Sequence, residues 1–508
     1  MIKNTLFLSG INLSGKVLGL IKVIILASIY GASTTYDAYI IAYTLPTTLP
    51  QILTIIISTI FIPQYHKKVR DTKESWNGLS TIFTMVVLIS LCGTSLLYYF
   101  SGNIIHMLTP GISEETNRIA VDLFKIMSLS TLLIGISSFF ISLSNARQKF
   151  FLASLDSLII NTAIISYCFI FKNESDISSI VFLILFGFFV HLIILMISNY
   201  DFLIKFIRLR LAFTHEDFIS PMKKAIPIIV GYLGAISTSI VDQWFTSYEE
   251  IGSLSVLSYA VMIFLLPMEV FGKAVMETYF SRFSKVSSDT SALIKSYHEG
   301  FKLILFILIP ISIFLLISNK ELIKLIFERG EFGAADSELT SLVLSALSLG
   351  LILRAITYFN YRLLHAIDKS WLAISIGLIG VFINILFNYI LSKHYGLVGI
   401  AISTTISTLS SVVLSCILIK KFYNIKYYRY FNLNFIKILF TATILLTAYN
   451  YAYENFVPVL FLDNDFFILA YNIGLLISIP ILFFILGSVV KINEVMSFLN
   501  YLKLNKHA

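Results

Sequence analysis

Two lysines, Lys16 and Lys22, stand inside the apolar run GKVLGLIKVIILASIYGAS of residues 15–33. A charge at the centre of a bilayer costs ~2.5–3.5 kcal/mol on insertion scales, so a lysine kept there is expected to face a watery, protein-lined cavity. Lysine offers a mobile point charge, able to grip a phosphate and still release it. At about 100° per residue the two lysines lie about 120° apart and can line one broad helix face. The alternative for each is snorkelling to an interface, which suits Lys22, nearer the outside, better than Lys16. Asp37 opens the next apolar run, and Asp242 lies near the outer end of the seventh. A Lys22–Asp37 or Lys22–Asp242 pair would close an outer mouth; plain helix-end carboxylates are the competing reading.

Arg354, buried in the tenth apolar run towards the cytoplasmic side and without a sequence-local partner, is a second candidate anion contact; snorkelling is its alternative. Asn384 and Asn388 lie one turn apart on the eleventh run, and with Thr404 and Asp242 they offer hard oxygen donors for a small cation such as Na+. Asparagines that bridge helices would look the same. Pro46, Pro50 and Pro267 supply places where helices can bend or gate. Glu269, Lys273 and Glu277, spaced i, i+4, i+8, form a ladder that neutralises itself, or a lateral gate. Lys125 and Asp156 fall within two turns of helix ends and read as interfacial. There is no H-E-x-x-H, Walker loop or G-x-S-x-G. The chain therefore reads as a transporter rather than an enzyme, with no cofactor and with Na+ or the membrane potential as its driving force.

The elements that must position these residues are membrane helices. Of 508 residues 57% are hydrophobic and only 13% charged, against about 25% in soluble domains, and the mean hydropathy is +0.86. The net charge of +8 sits in short loops between apolar runs, which marks topology rather than nucleic-acid binding. Cys92, Cys168 and Cys416 lie inside apolar runs with no paired spacing, so neither a disulfide framework nor a metal site is expected. No A-x-A-like cleavage site follows the first apolar run, which is read as a retained helix. Runs long enough to span fall near 4–30, 37–62, 79–100, 119–143, 150–171, 177–200, 221–245, 251–281, 299–317, 337–362, 371–391, 397–420, 435–452 and 466–489.

Basic residues crowd alternate loops, from Lys67 and Lys68 through Arg147 and Lys149 to Lys420 and Lys421, whereas the opposite loops hold Arg118, Lys172, Lys320, Lys324, Arg329 and Lys393. The crowded side is cytoplasmic and holds both termini. An internal repeat is visible at an offset near 220: GASTTYDAYIIAYTLP (31–46) is echoed from Gly252 to Pro267, MLTPGIS (107–113) by IFERGEF (326–332), and SNARQKFFLAS (144–154) by LHAIDKSWLAI (364–374). Six helices per half preserve orientation, so the halves are parallel repeats, and substrate sites in such transporters lie between the repeats. The expected fold is an all-α polytopic membrane protein of about fourteen transmembrane helices, with two six-helix lobes and two C-terminal helices. Its divisions are 1–200 (helices 1–6), a cytoplasmic linker at 201–224, 225–420 (helices 7–12), and 421–508 (helices 13 and 14 and the tail).

GKVLGLIKVIILASIYGAS…DAYIIAYTLP, the LTPG loop, LPMEVFGKAV and IFERGEFGAADSELTSLVLSALSLGL resemble the MurJ/MviN lipid II flippases of the multidrug/oligosaccharidyl-lipid/polysaccharide exporter superfamily. The resemblance covers residues 5 to 420, and Arg329-Gly330-Glu331-Phe332 with Asp336 is its most specific piece. It implies two six-helix lobes plus two C-terminal helices that form a groove for the lipid tail. Two arginines of the family's cationic cavity match Lys16 and Lys22, its acidic residue matches Asp37, and its cation site matches Asp242, Asn384, Asn388 and Thr404. Its second-helix arginine falls at Pro50, and its eighth-helix arginine and glutamate at Met262 and Leu265. The resemblance implies a flippase of the bacterial inner membrane; no nucleic-acid partner is expected, and the chain is expected to work as a monomer among membrane lipids. It would move an undecaprenyl-diphosphate-linked glycan, lipid II or a related cell-envelope precursor, to the outer leaflet. An O-antigen or capsule-type flippase and a cation-coupled multidrug exporter remain open, as does, from another class, a membrane-embedded glycosyltransferase, polymerase or ligase.

Overall fold

A computed structural model describes residues 2–70, 77–171, 176–206, 216–430, 432–460, 482–483 and 485–496. Those residues are almost entirely helical, with only an isolated β-bridge between Arg329 and Phe332. Among them nine helices are long and apolar enough to cross a membrane, or ten if Ala334–Ser348 and Gly350–Ala366, bent by 42°, form one span. The helix Ser370–Tyr423 has 54 residues, about 81 Å at 1.5 Å per residue and far more than one ~30 Å crossing needs. It is two spans in one. Gly396 leaves the helical region at φ 53° and ψ −137°, and Gly399 packs so tightly on the Leu391 carbonyl that a Cβ there has no room. The seventh expected span is the helix Glu216–Thr246 and the thirteenth lies within Leu433–Leu460. Most of the fourteenth, 466–489, lies outside the described residues.

The chain forms two compact units, Met1–Ser255 with Arg329–Gly333, and Val256–Glu328 with Ala334–Ala508. At the centre of the first is Glu114–Ala146, a helix of 33 residues. Its buried Ser128, Ser130, Gly135, Ser138, Ser142 and Ser144 let neighbouring backbones approach closely, the usual means of packing helices in lipid. Ser58 and Ser142 hydroxyls meet at 2.9 Å, and beside them Ile57, Phe61, Val86, Phe139, Phe140 and Leu195 close an apolar core. The Glu216–Thr246 helix joins this unit, packing on Gln51–Arg70 and Asn77–Tyr99.

The second unit repeats the motif with other side chains. Ser407 Oγ donates to Gly380 O at 2.6 Å across the two arms of the Ser370–Tyr423 hairpin. Ser312 Oγ donates to Ser348 O at 2.6 Å, and the buried Asn360 amide reaches Ser415 Oγ at 2.9 Å. The repeat is preserved to the level of single turns. Gln148 and Asp368, 220 positions apart, both take left-handed backbone at φ 60° and 58°. Around them Lys149 N donates to Ser144 O and Lys369 N to Leu364 O, each at 2.8 Å.

Candidate functional site

Lys16 and Lys22 ride on the helix Ile2–Tyr30, which lies against Leu155–Phe171 in the first unit. Glycine makes that approach possible: a Cβ on Gly15 would come within 2.5 Å of Ser157 Oγ, and one on Gly19 within 3.4 Å of Asn161 Nδ2. The buried Asn161 amide donates to Gly15 O at 3.2 Å and fixes the fit one residue from Lys16. The opposite face exposes Leu13, Val17 and Ile21 at 50, 49 and 38%. Counting about 100° per residue from Val17, Lys16 stands about 100° and Lys22 about 140° off that apolar stripe. Both lysines are partly buried.

Asp37 is buried in the first turn of Thr34–Thr48. Its Oδ2 accepts the Gly252 amide at 2.7 Å, and its Oδ1 accepts the Ser255 amide at 2.8 Å and the Ser255 hydroxyl at 2.5 Å. Its partner is thus the start of a helix rather than a lysine: the carboxylate caps free amides at the positive end of a helix dipole. Nearby, Gly31 and Gly252 take φ 57° and 89°, and a Cβ on either would also lie 2.5 Å from a backbone oxygen, Glu331 O and Ala32 O respectively. Glu331 N donates to Ser28 O at 2.9 Å. Backbone meets backbone here, with no room for side chains.

Pro46 and Pro50 break the second span into Thr34–Thr48 and Gln51–Arg70. Pro50 has no amide to give the Pro46 carbonyl, which instead accepts Ser130 Oγ and Thr131 Oγ1, each at 3.1 Å. The Ile52 amide turns to Leu49 O, and the Thr48 carbonyl accepts the Tyr232 hydroxyl at 2.9 Å. Hydroxyls thus satisfy the carbonyls that the break frees, so it strands no backbone acceptor there. Sequence reading found the prolines but missed Ser130, Thr131 and Tyr232, whose role depends on contacts far along the chain.

In the second unit, Pro267 ends Ser253–Pro267 and passes into a π-helical turn, Met268–Gly272, closed by Lys273 N donating to Met268 O. Such turns commonly mark functional positions. Glu269 and Lys273 approach to 3.9 Å. The Arg354 guanidinium lies 5.9 Å from the Phe264 ring centre and 5.5 Å from that of Tyr358. Its Nη2 also donates to Tyr358 Oη at 3.1 Å, so a local partner exists one turn along the helix. Asn384, Asn388 and Thr404 come together across the hairpin: Asn384 Nδ2 donates to Thr404 Oγ1 at 3.4 Å and Asn388 Nδ2 to Asn384 Oδ1 at 3.3 Å. Both asparagines are fully buried. Asp242, the carboxylate assigned to the same ion, belongs to the first unit.

Comparison with known proteins gives one consistent answer. A family model described as Lipid II flippase MurJ matches residues 26–471, a stretch that begins after Lys16 and Lys22. The lipid II flippase MurJ of Thermosipho africanus (strain TCF52B) is 28% identical over 464 residues, covering 91% of this chain and 92% of that protein. The probable lipid II flippase MurJ of Rickettsia prowazekii (strain Madrid E) is 26% identical over 426 residues, covering 79% and 82%. A solved structure of lipid II flippase MurJ in an inward closed conformation superposes with a TM-score of 0.79 at 26% identity, covering 96% of this chain and 99% of that one. An inward-facing multidrug resistance MATE transporter gives a TM-score of 0.66 at 12% identity over 82% of this chain and 98% of that one, a likeness of fold alone.

Proposed function

The chain belongs to the lipid II flippase MurJ family, and from that premise we propose that it carries lipid II from the cytoplasmic to the outer leaflet of a bacterial inner membrane by alternating access. It is a transporter and not an enzyme. Lys16, helped by Lys22, holds the diphosphate, and Arg354 is the anion contact of the second unit. The observation that carries this reading is the setting of Lys16: a lysine in an apolar helix, turned off the exposed Leu13/Val17/Ile21 stripe and held in place by Asn161 on Gly15. A charge so placed has a use for an anion and little use for lipid.

Asp37 closes the outer end by capping the residues from Gly252 to Ser255, and the breaks at Pro46, Pro50 and Pro267 are where helices flex during the cycle. Asn384, Asn388 and Thr404, which meet within the second unit, supply oxygens for Na+. An ion gradient or the membrane potential then drives transport without a cofactor. The chain works as a monomer with both termini in the cytoplasm. Complementation tests the reading. In a host depleted of its own lipid II flippase, this chain is expected to restore growth, and Lys16→Ala to fail at equal expression. Growth restored equally by Lys16→Ala would overturn the role given to that lysine. Failure of the wild-type chain, with another lipid-linked glycan accumulating when its native gene is deleted, would overturn lipid II as the substrate.

A further inference from the structure

A lysine that grips a diphosphate must also let it go, and inside a membrane its charge needs a partner once the phosphate has left. The helix beside it offers one. Positions 15 and 19 of Ile2–Tyr30 meet positions 157 and 161 of Leu155–Phe171, as the close approaches of Gly15 to Ser157 and of Gly19 to Asn161 establish. Both numbers rise together, so the two helices run in the same direction. In such a pair, the residue after the contact on one helix and the residue before it on the other turn by about 100° in opposite senses. They therefore face the same side of the pair.

Those two residues are Lys16 and Asp156. Their backbones differ in level by two residues, about 3 Å. Helical side chains lean towards the helix N-terminus, which carries the long Lys16 chain back to the level of Asp156. Asp156 also lies within electrostatic reach of Tyr43 on Thr34–Thr48, in the same unit. Both Lys16 and Asp156 are partly buried, and Asp156 gains from the positive end of its own helix, in whose first turn it sits.

We infer that Asp156 is the counter-charge of Lys16: it neutralises the ammonium in the empty carrier, yields it to the incoming diphosphate, and reclaims it as the diphosphate leaves. This rests on the assignment of Lys16 to the diphosphate. Competition from a resident carboxylate weakens binding and speeds release, which is what a carrier requires. Without it the lysine would hold its cargo too long.

The test uses the full chain in nanodiscs with undecaprenyl diphosphate as the binding probe, and in proteoliposomes for turnover. Asp156→Asn is expected to bind the probe about tenfold more tightly and to turn over more slowly. Lys16→Gln should lose binding, and Lys16→Gln/Asp156→Asn should behave as Lys16→Gln does. Asp156→Glu keeps the charge and should bind like the wild type, so it separates charge from fold. If Asp156→Asn binds like the wild type while Lys16→Gln is defective, or if Asp156→Glu also tightens, the counter-charge is overturned and the lysine assignment stands. If Lys16→Gln binds like the wild type, the lysine assignment itself is overturned, and the inference with it.

Discussion

Asp37 accepts two hydrogen bonds from Ser255, one from its amide at 2.8 Å and one from its hydroxyl at 2.5 Å, across 218 positions of sequence. With the Gly252 amide on its other oxygen, the carboxylate satisfies donors that a helix start leaves open. Removing it strands them. A buried donor without an acceptor costs about 1–3 kcal/mol, so Asp37→Ala should lower the melting temperature in detergent clearly, and Asp37→Asn, which keeps one acceptor oxygen, less. A melting temperature unchanged in Asp37→Ala would show that the cap contributes nothing.

The bend at Pro46 rests on two hydroxyls sharing one carbonyl. Ser130→Ala or Thr131→Ala alone leaves a donor in place and should cost less than ~1 kcal/mol, whereas the double variant should cost more than the sum. Pro50→Ala returns an amide to the Pro46 carbonyl. It is expected to hold or raise thermal stability while slowing transport, because the span can then straighten. Additive losses in the hydroxyl pair would refute the shared acceptor.

Close approach at Gly15 predicts a rescue. Gly15→Ala places a methyl 2.5 Å from Ser157 Oγ and should cost about 1–3 kcal/mol from overpacking. Ser157→Ala removes that oxygen and should recover most of the loss in the double variant, measured by thermal unfolding and by complementation. No recovery would mean that the two helices meet elsewhere.

Arg147 clasps Asp201 through two bonds of 3.0 and 2.8 Å at the ends of their helices. Hydrogen bonding to that guanidinium holds the Asp201 carboxyl below the usual carboxylate range and pushes Arg147 upward. A depressed carboxyl stabilises the fold fully above its unfolded value, about 3.9, and loses that contribution as the pH falls through its folded value. Asp201→Asn should therefore flatten the acid side of a plot of melting temperature against pH. An acid limb as steep as the wild type's would count against the clasp.

Gly396 turns the hairpin in a conformation that side chains rarely adopt, at φ 53° and ψ −137°. Gly396→Ala is expected to cost about 1–3 kcal/mol of strain and to reduce the yield of folded protein in detergent. Normal yield and stability would place the turn elsewhere.

Much of this molecule was legible in its sequence, because lipid tests residues one helix at a time. Hydropathy located the long apolar helices of the described residues, down to the two joined in Ser370–Tyr423. The offset near 220 located the repeat, which the paired left-handed turns at Gln148 and Asp368 repeat in the backbone. Lys16 stood out as a charge among leucines and isoleucines, and Pro46 and Pro50 stood out as missing amides. These are properties of a residue and its near neighbours, and no knowledge of the rest of the chain was needed to read them.

Partners were another matter. Asp37 looked ready for Lys22 and was given instead to Gly252 and Ser255; Arg354 found Tyr358 one turn away. Asp156 reads as interfacial from its place near a helix end, and the meeting of Gly15 with Ser157 adds that it faces the same side as Lys16. Periodicity tells which face of a helix is apolar, but not which neighbour that face will meet or in what register. Sliding one helix by a single residue turns every side chain by about 100°, so only the packed structure could decide which charges share a side.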